Sequence, residues 1–261
     1  MSSLKEQLDN LLLLYHHSGF IGDDPISIPH RFNTKRDIEI SGFLSAILSW
    51  GKRIIIIKKA SELMERLENQ PYDFTMNATD HDFKCLDGFV HRTIQPIDIH
   101  SLILGLRRIY EVWGGPEMMM SDALRVNNES MAKAISVFRK ELFSVPHLNR
   151  THKHFSDPLS NSAAKRFNMY LRWMVRKDDK GIDFGIWNID ASRLIIPLDV
   201  HVGRNARAMG LLNRKANDWK AAEEITAALR LFDPLDPVKY DYALFSAQRN
   251  PSFFDSNSFY K

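Results

Sequence analysis

One apolar period recurs along most of this chain and constrains its fold more than any other feature. After Asn33-Thr34, residues Ile40, Phe43, Leu44, Ile47 and Leu48 follow the three-and-four spacing that lays a stripe along one face of a helix. The period returns in Ala60, Leu63, Met64 and Leu67, and again in Ile99, Leu102, Ile103, Leu106, Ile109 and Tyr110. It reappears in Met131, Ala134, Ile135 and Phe138, and in Phe167, Tyr170, Leu171, Met174 and Val175. No convincing strand pair competes with it, so the sequence predicts an all-α fold of about ten helices. The four consecutive isoleucines Ile54 to Ile57 suit a strand, but the stripe that continues from them makes the segment a helix.

The breakers between these stripes are equally regular. The first helix is expected to end near Trp50-Gly51, and another at Trp113-Gly114-Gly115-Pro116. Residues 71–96 mix Pro, Asp and His with short apolar pieces, and Pro146 to Pro158 reads as a polar, His-rich loop. A cap at Asn161 or Ser162 is expected to start the helix carrying Phe167, with Lys165, Arg166, Arg172, Arg176 and Lys177 spread around its other faces. A helix entered through Pro197 and Asp199 closes at Gly210, and Asn217 or Asp218 caps the next. In the last element Asp236 is the expected cap and Pro237 the first helical residue.

At 261 residues and 44% hydrophobic, the chain can build one large domain or two small lobes around a shared cleft. There is no repeat, Gly/Ser linker or shift in composition, so residues 1–261 are expected to form one globular unit. Its lobes would be 36–145 and 1–35 plus 146–261. Thirty-five Lys and Arg against 32 Asp and Glu give a formal +3, which permits a polyanionic partner only if the excess lies on one face. The single cysteine, Cys85, excludes an internal disulfide and any all-Cys zinc or iron–sulfur site, and points to a reducing, cytoplasmic setting. The first twenty residues contain acidic and amide residues and no small-residue cleavage site, against a signal peptide. No apolar run reaches the roughly 18 residues of a membrane span. Asn77, Asn128 and Asn149 sit in glycosylation sequons, read here as coincidence.

Several common sites are missing: there is no GxGxxG turn, no GxxxxGK[ST] loop, no HExxH and no GxSxG elbow. His16-His17, His152 and His154 lack a carboxylate at helical spacing, so they read as surface histidines rather than as metal ligands. A metal enzyme would need His91, His152, His154 or His201 to converge. No metal and no cofactor is expected. The segment IIPLDVHVGRNARAMGLL is more informative, because Asp199 stands at a helix entrance, where a carboxylate favours the positive dipole end. An N-cap explains Asp199 by itself; a reactive acid accompanied by His201, Arg204 and Arg207 is the alternative. Lys165, among Ala163, Ala164 and Phe167, is either a solvated helix residue or, if desolvated, a nucleophilic amine.

PLDVHVGRNARAMGL resembles the segment that carries the essential aspartate of the helix-hairpin-helix (HhH-GPD) DNA glycosylases, the superfamily of endonuclease III, with Asp199 at the acid's position. GFLSAILSWGKRIIIIKKASELMERL is similar to that superfamily's early helix pair, whose Ser-containing break faces the substrate and here reads Ser49-Trp50-Gly51. DPVKYDYALFSAQRN looks like the closing helix. The whole chain also resembles a bacterial family of uncharacterised proteins marked by ILSWG, Phe89-Val90-His91-Arg92, KRxNMxLRWMVRKDD and IPLDxH. The superfamily's glycine-rich LPGxGxKTA hairpin is replaced by DPLSNSAAKRF, without either glycine, and KDDKGIDFGIWNID lengthens the interval from Lys165 to Asp199. A longer insertion of this kind occurs in the archaeal 8-oxoguanine glycosylase branch.

The resemblance implies a two-lobed HhH-GPD-like fold with a central cleft, a double-stranded DNA partner and base-excision chemistry. Lys165 and Asp199 become the catalytic pair. Ser49, Trp50 and Gly51 line the base, with Trp50 able to stack, although as a core residue it would be equally ordinary. Lys52, Arg53, Arg166, Arg204 and Arg207 become phosphate contacts, with His201 beside them, unless they simply solvate their helices. The endonuclease III cluster needs more cysteines than this chain has. A module that keeps the fold without the chemistry, binding nucleic acid or protein, is the competing expectation.

Overall fold

The computed structural model describes residues 3–127 and 130–247, and the periodic segments in them are helical. Among the described residues there are eleven α-helices, short 3-10 segments and two isolated bridges, His91–Ile94 and Ser162–Asp218, but no strand. The fold is all-α. Among the described residues, no helix is long and apolar enough to cross a membrane. Asn128 and the end of the closing segment, from Gln248 on, lie outside the described residues. Two units pack internally: Ile21–Ser160, and the residues up to Phe20 together with those from Asn161 onward.

In the first unit, α2 (Lys35–Leu48) is the central element. Thr34 caps it by accepting the Asp37 amide at 3.2 Å. Every residue from Ile38 to Leu48 is buried, so this helix is enclosed on all sides rather than on the one stripe its spacing outlines. Ser41 Oγ donates to the Asp37 carbonyl at 2.6 Å, and Ser49 Oγ, at the C-terminal cap, donates to the Ser45 carbonyl at 2.8 Å, whereas the buried Ser45 Oγ has no partner among the described residues. The isoleucine run does form a helix, α3 (Arg53–Arg66), with Ile56, Ala60, Leu63 and Met64 inward and Ile54 and Ile55 exposed.

After α4 (Pro71–Asn77) and α5 (Pro96–Trp113, stopped by Gly114) comes α6 (Pro116–Val126), then α7 (Met131–Leu142). The α4 and α6 helices are absent from the sequence reading because each opens on a proline. That proline occupies the first turn, where its missing N–H is no loss. Residues 147–155 join this unit through Asp98, whose carboxylate takes a 2.7 Å bond from Thr151 and lies 3.3 Å from both Arg150 and His154.

The second unit begins with α1 (Leu4–Tyr15), which the sequence reading also leaves out; Ser3 and Glu6 form its capping box. It continues with α8 (Lys165–Val175), α9 (Val200–Ala208), α10 (Trp219–Arg230) and α11 (Asp241–Ser246). The capping expectations at Asp199 and Asp218 hold, and Gly210 follows α9. Two others are corrected. Asp236 makes no side-chain cap, because its carboxylate accepts from Arg176 Nε at 2.8 Å. Neither Asn161 nor Ser162 caps α8, which begins after Ala164. The Asn161 amide is spent on Asp218, and the Ser162 hydroxyl accepts the Ala164 amide only two residues on.

Candidate functional site

The second unit carries the acid and the lysine singled out from sequence. Asp199, half-buried, precedes α9, and its Oδ1 accepts the amides of both His201 and Val202 at 2.9 Å. It is an N-cap, but only one oxygen caps: Oδ2 accepts no hydrogen bond among the described residues. The loop beneath is locked. Arg207 donates to the carbonyls of Arg214 and Lys215 at 2.8 Å and to Asn217 Oδ1 at 2.7 Å. A Cβ on Gly203 would stand 2.5 Å from that same Oδ1, so only glycine lets α9 approach the loop. Arg207, a phosphate contact on the sequence reading, is thus engaged in holding the backbone, whereas His201 and Arg204 are exposed on α9.

Lys165 is the first residue of α8, and the turn before it is left-handed at two non-glycine positions, Asn161 (φ 63°) and Ala164 (φ 45°). Asparagine tolerates that region; for alanine it costs about 1–2 kcal/mol. The turn therefore takes a left-handed backbone without glycine, and surrounding bonds hold it there. Asn161 Nδ2 donates to Asp218 Oδ2 at 3.0 Å, and Arg214 Nε grips the same carboxylate at 2.7 Å. Lys165 is half-buried with its Nζ 3.5 Å from Met169 Sδ. Next to it, burial pushes the Arg166 guanidinium down to about 10, which leaves it charged at neutral pH.

Behind the lysine lies a buried ionic core that sequence reasoning missed. From Phe167 to Val175 every residue of α8 is buried, including Arg172, and Arg176 just beyond is buried too. Arg172 pairs with Asp183 at 3.3 Å and with Asp241, its guanidinium 4.3 Å from the centroid of the Tyr242 ring. Arg176 pairs with Asp183 at 3.0 Å, Asp236 at 2.8 Å and Asp178 at 3.4 Å, and lies 3.3 Å from His16 Nε2. Burial opposes ionisation of Asp178, but donors from His16 and the amides of Asp183, Ile182 and Lys180 outweigh it and hold that carboxyl well below its usual range. Burial pushes Asp241 the other way, up to about 6, with Arg172 and Lys165 opposing the rise and Asp199 adding to it. The available sequence signal was a pair of arginines inside the apolar run LRWMVR, where solvated cations have no place.

The first unit holds the other predicted contacts. Ser49 ends α2, and Trp50 is 44% exposed, which removes the core reading. The Arg92 guanidinium lies 4.3 Å from the Trp50 ring centroid, and buried His91 bonds the Leu48 carbonyl at 2.9 Å, so ILSWG and Phe89–Arg92 meet in space. Gly51 (φ 122°) sits where a Cβ would stand 2.8 Å from Arg92 Nη1. Lys52 is exposed; Arg53 lies 3.9 Å from Asp24. The histidines are engaged elsewhere: His154 with Asp98, and His152 with His147 at 2.7 Å. No group of three His, Cys, Asp or Glu among the described residues is arranged to hold a metal. Burial pushes the Cys85 thiol up, away from reactivity.

Residues 24–249 match the model of a family described as a protein of unknown function, DUF2400. The chain belongs to this family. No curated protein matches it, and no solved structure does.

Proposed function

We propose that this DUF2400 protein is a DNA glycosylase with an accompanying lyase step, acting on a flipped, damaged base. The observation that carries the reading is the acid–amine pair within one unit: Asp199 caps α9 through Oδ1 alone, and Lys165 opens α8 from a left-handed turn. The resemblance of the surrounding segments to the HhH-GPD glycosylases supports it.

In this mechanism the free amine at Lys165 Nζ attacks C1′ of the deoxyribose. The glycosidic C–N bond breaks, its electron pair leaves with the base, and a proton delivered to the base completes its release. Asp199 Oδ2 stabilises the positive charge that develops on the sugar as this bond breaks. The amine adduct then opens the sugar ring to a Schiff base, from which elimination cleaves the strand. The first unit has a candidate nucleic-acid contact of its own: Trp50, backed by Arg92, offers a stacking face for a base, with the exposed Lys52 two residues on.

The test is borohydride trapping on duplexes containing 8-oxoguanine, uracil, an oxidised pyrimidine or an abasic site. A covalent adduct that is lost in Lys165→Gln is the expected result. Asp199→Asn is expected to lower base release at least a hundredfold, within the range seen when a transition-state electrostatic partner is removed. No adduct and no base release on any duplex would overturn the reading and favour a nucleic-acid or protein binding module.

A further inference from the structure

The stretch anchored on Asp98 holds two histidines whose contact requires a hydrogen between them. His147 lies in the loop after α7 and His152 in the 3-10 turn Asn149–His154, and both are half-buried. Their Nε2 atoms stand 2.7 Å apart, so one nitrogen donates and the other accepts. His147 Nδ1 lies 2.7 Å from the Val145 carbonyl oxygen, which can only accept, so Nδ1 carries the ring hydrogen. In the neutral pair, His147 Nε2 is therefore a bare lone pair, and His152 Nε2–H donates to it.

The pair is held from outside. Just before His152, Thr151 donates to Asp98 at 2.7 Å, and Arg150 lies 3.3 Å from the same carboxylate while donating to the Thr93 carbonyl at 2.7 Å. Just after it, His154 lies 3.3 Å from Asp98. The Phe143 ring packs against both imidazoles, its centroid 5.0 Å from that of His147 and 4.6 Å from that of His152. Arg139, whose charge would oppose a cation here, is tied to the Phe155 carbonyl at 2.9 Å, with its guanidinium 5.2 Å from the Phe143 centroid.

We propose that His147 and His152 bind a divalent copper or nickel ion through their Nε2 atoms, with water filling the remaining positions. A backbone carbonyl on the second ring nitrogen is what ordinarily fixes the tautomer of a ligand histidine and aims its free nitrogen, and Val145 does this for His147. On binding, His152 passes to its other tautomer: the Nε2 proton leaves, one is taken up at Nδ1, and the freed lone pair goes to the metal. Adjacent right-angle positions with bonds of about 2.0 Å set two nitrogens about 2.9 Å apart, whereas tetrahedral zinc sets them about 3.3 Å apart. The observed pair is closer to the first, which selects the tetragonal ions. The site lies in the first unit and does not rest on the chemistry proposed for Lys165 and Asp199.

The test adds one equivalent of copper(II) to the full chain near neutral pH. Electron paramagnetic resonance is expected to show a single tetragonal species split by two imidazole nitrogens. Competition with a chelator of known affinity should find binding weakened at least about tenfold in His147→Gln and in His152→Gln, since losing a ligand costs no less than losing the partner that orients one. Folded variants that bind copper as tightly as the wild type would overturn the proposal, because the ion would then sit on other histidines.

If either variant does not fold, the unmodified protein decides. In the metal-free state, the imidazole nitrogen spectrum of a histidine-labelled sample should show His147 as the Nδ1–H tautomer. Copper(II) added well below one equivalent should broaden the ring signals of His147 and His152 before those of any other histidine. An Nε2–H tautomer at His147, or broadening that begins at an exposed histidine such as His201, would equally overturn the proposal.

Discussion

The α2 and α8 helices are both buried along nearly their whole length, yet they solve the burial problem in opposite ways. From Ile38 to Leu48, α2 is lined by aliphatic and aromatic groups, the Ser41 hydroxyl folds back onto the Asp37 carbonyl, and Glu39 accepts from Tyr110 at 2.7 Å. The α8 helix buries guanidinium groups instead, neutralised by acids drawn from the 178–183 loop, from Asp236 and from α11. A core like that of α2 has few polar groups to satisfy and depends chiefly on packing. A core like that of α8 depends on partners far away in sequence and loses heavily if any one is missing. Lys165 stands at the head of the helix that carries this ionic core.

The largest effect should come from taking one member out of the ionic core. Arg172→Met leaves Asp241 buried without its cation and Asp183 with Arg176 alone, and is expected to cost about 3–5 kcal/mol in urea unfolding. Phe43→Ala in α2 should cost a similar 3–5 kcal/mol by opening a cavity. The two are separated by rescue. Adding Asp183→Asn and Asp241→Asn to Arg172→Met should recover a large part of the loss, whereas no charge change should recover Phe43→Ala. Equal, unrecoverable losses would mean that α8 is held by packing alone.

The next effect is in pH. The folded pKa of Asp241 is raised to about 6, so the fold favours its protonated form; that contribution is complete below the unfolded value of about 3.9 and is lost as pH rises through about 6. Asp178 is depressed, so its contribution is present above about 4 and is lost as pH falls toward its lowered folded value. Stability followed from pH 7 down to 4 should therefore gain up to about 3 kcal/mol from Asp241. Asp241→Asn should abolish that gain, and Asp178→Asn should flatten the fall below pH 4. Phe43→Ala should shift the whole curve without changing its shape.

What was legible in the sequence follows the same division. The caps at Asp199 and Asp218 and the helix made from Ile54 to Ile57 could be read because each depends on neighbours a few residues away. The helices α4 and α6 were missed when Pro71 was absorbed into a breaker-rich stretch and Pro116 was taken as a stop; each is the first residue of a new helix. In the site, Asp199 and Lys165 were legible as candidates by their positions at helix starts. Asp241 was not, because the arginine that explains it lies 69 residues away, and the commitment of Arg207 to its own loop was hidden for the related reason that carbonyls leave no signature in side-chain identity.

The smallest predicted effect separates the two turns that lead into α3 and α8. At Gly51 the chain has φ 122° and carries the residue that conformation asks for, with the Arg92 guanidinium filling the space a Cβ would take. At Ala164 it has φ 45° and carries one that resists it. Gly51→Ala should accordingly destabilise by about 1–3 kcal/mol through backbone strain and displacement of Arg92 from Trp50. Ala164→Gly removes a left-handed alanine, a relief of about 1–2 kcal/mol, but gives the unfolded chain more freedom, a cost of about 0.4–1 kcal/mol. The net expectation is a gain of between zero and about 1.5 kcal/mol in urea unfolding. If that gain appears while trapping by Lys165 weakens, the strain at Ala164 serves to aim the lysine. If stability and trapping rise together, the alanine merely fills its buried site and the aim comes from Asn161 and Asp218.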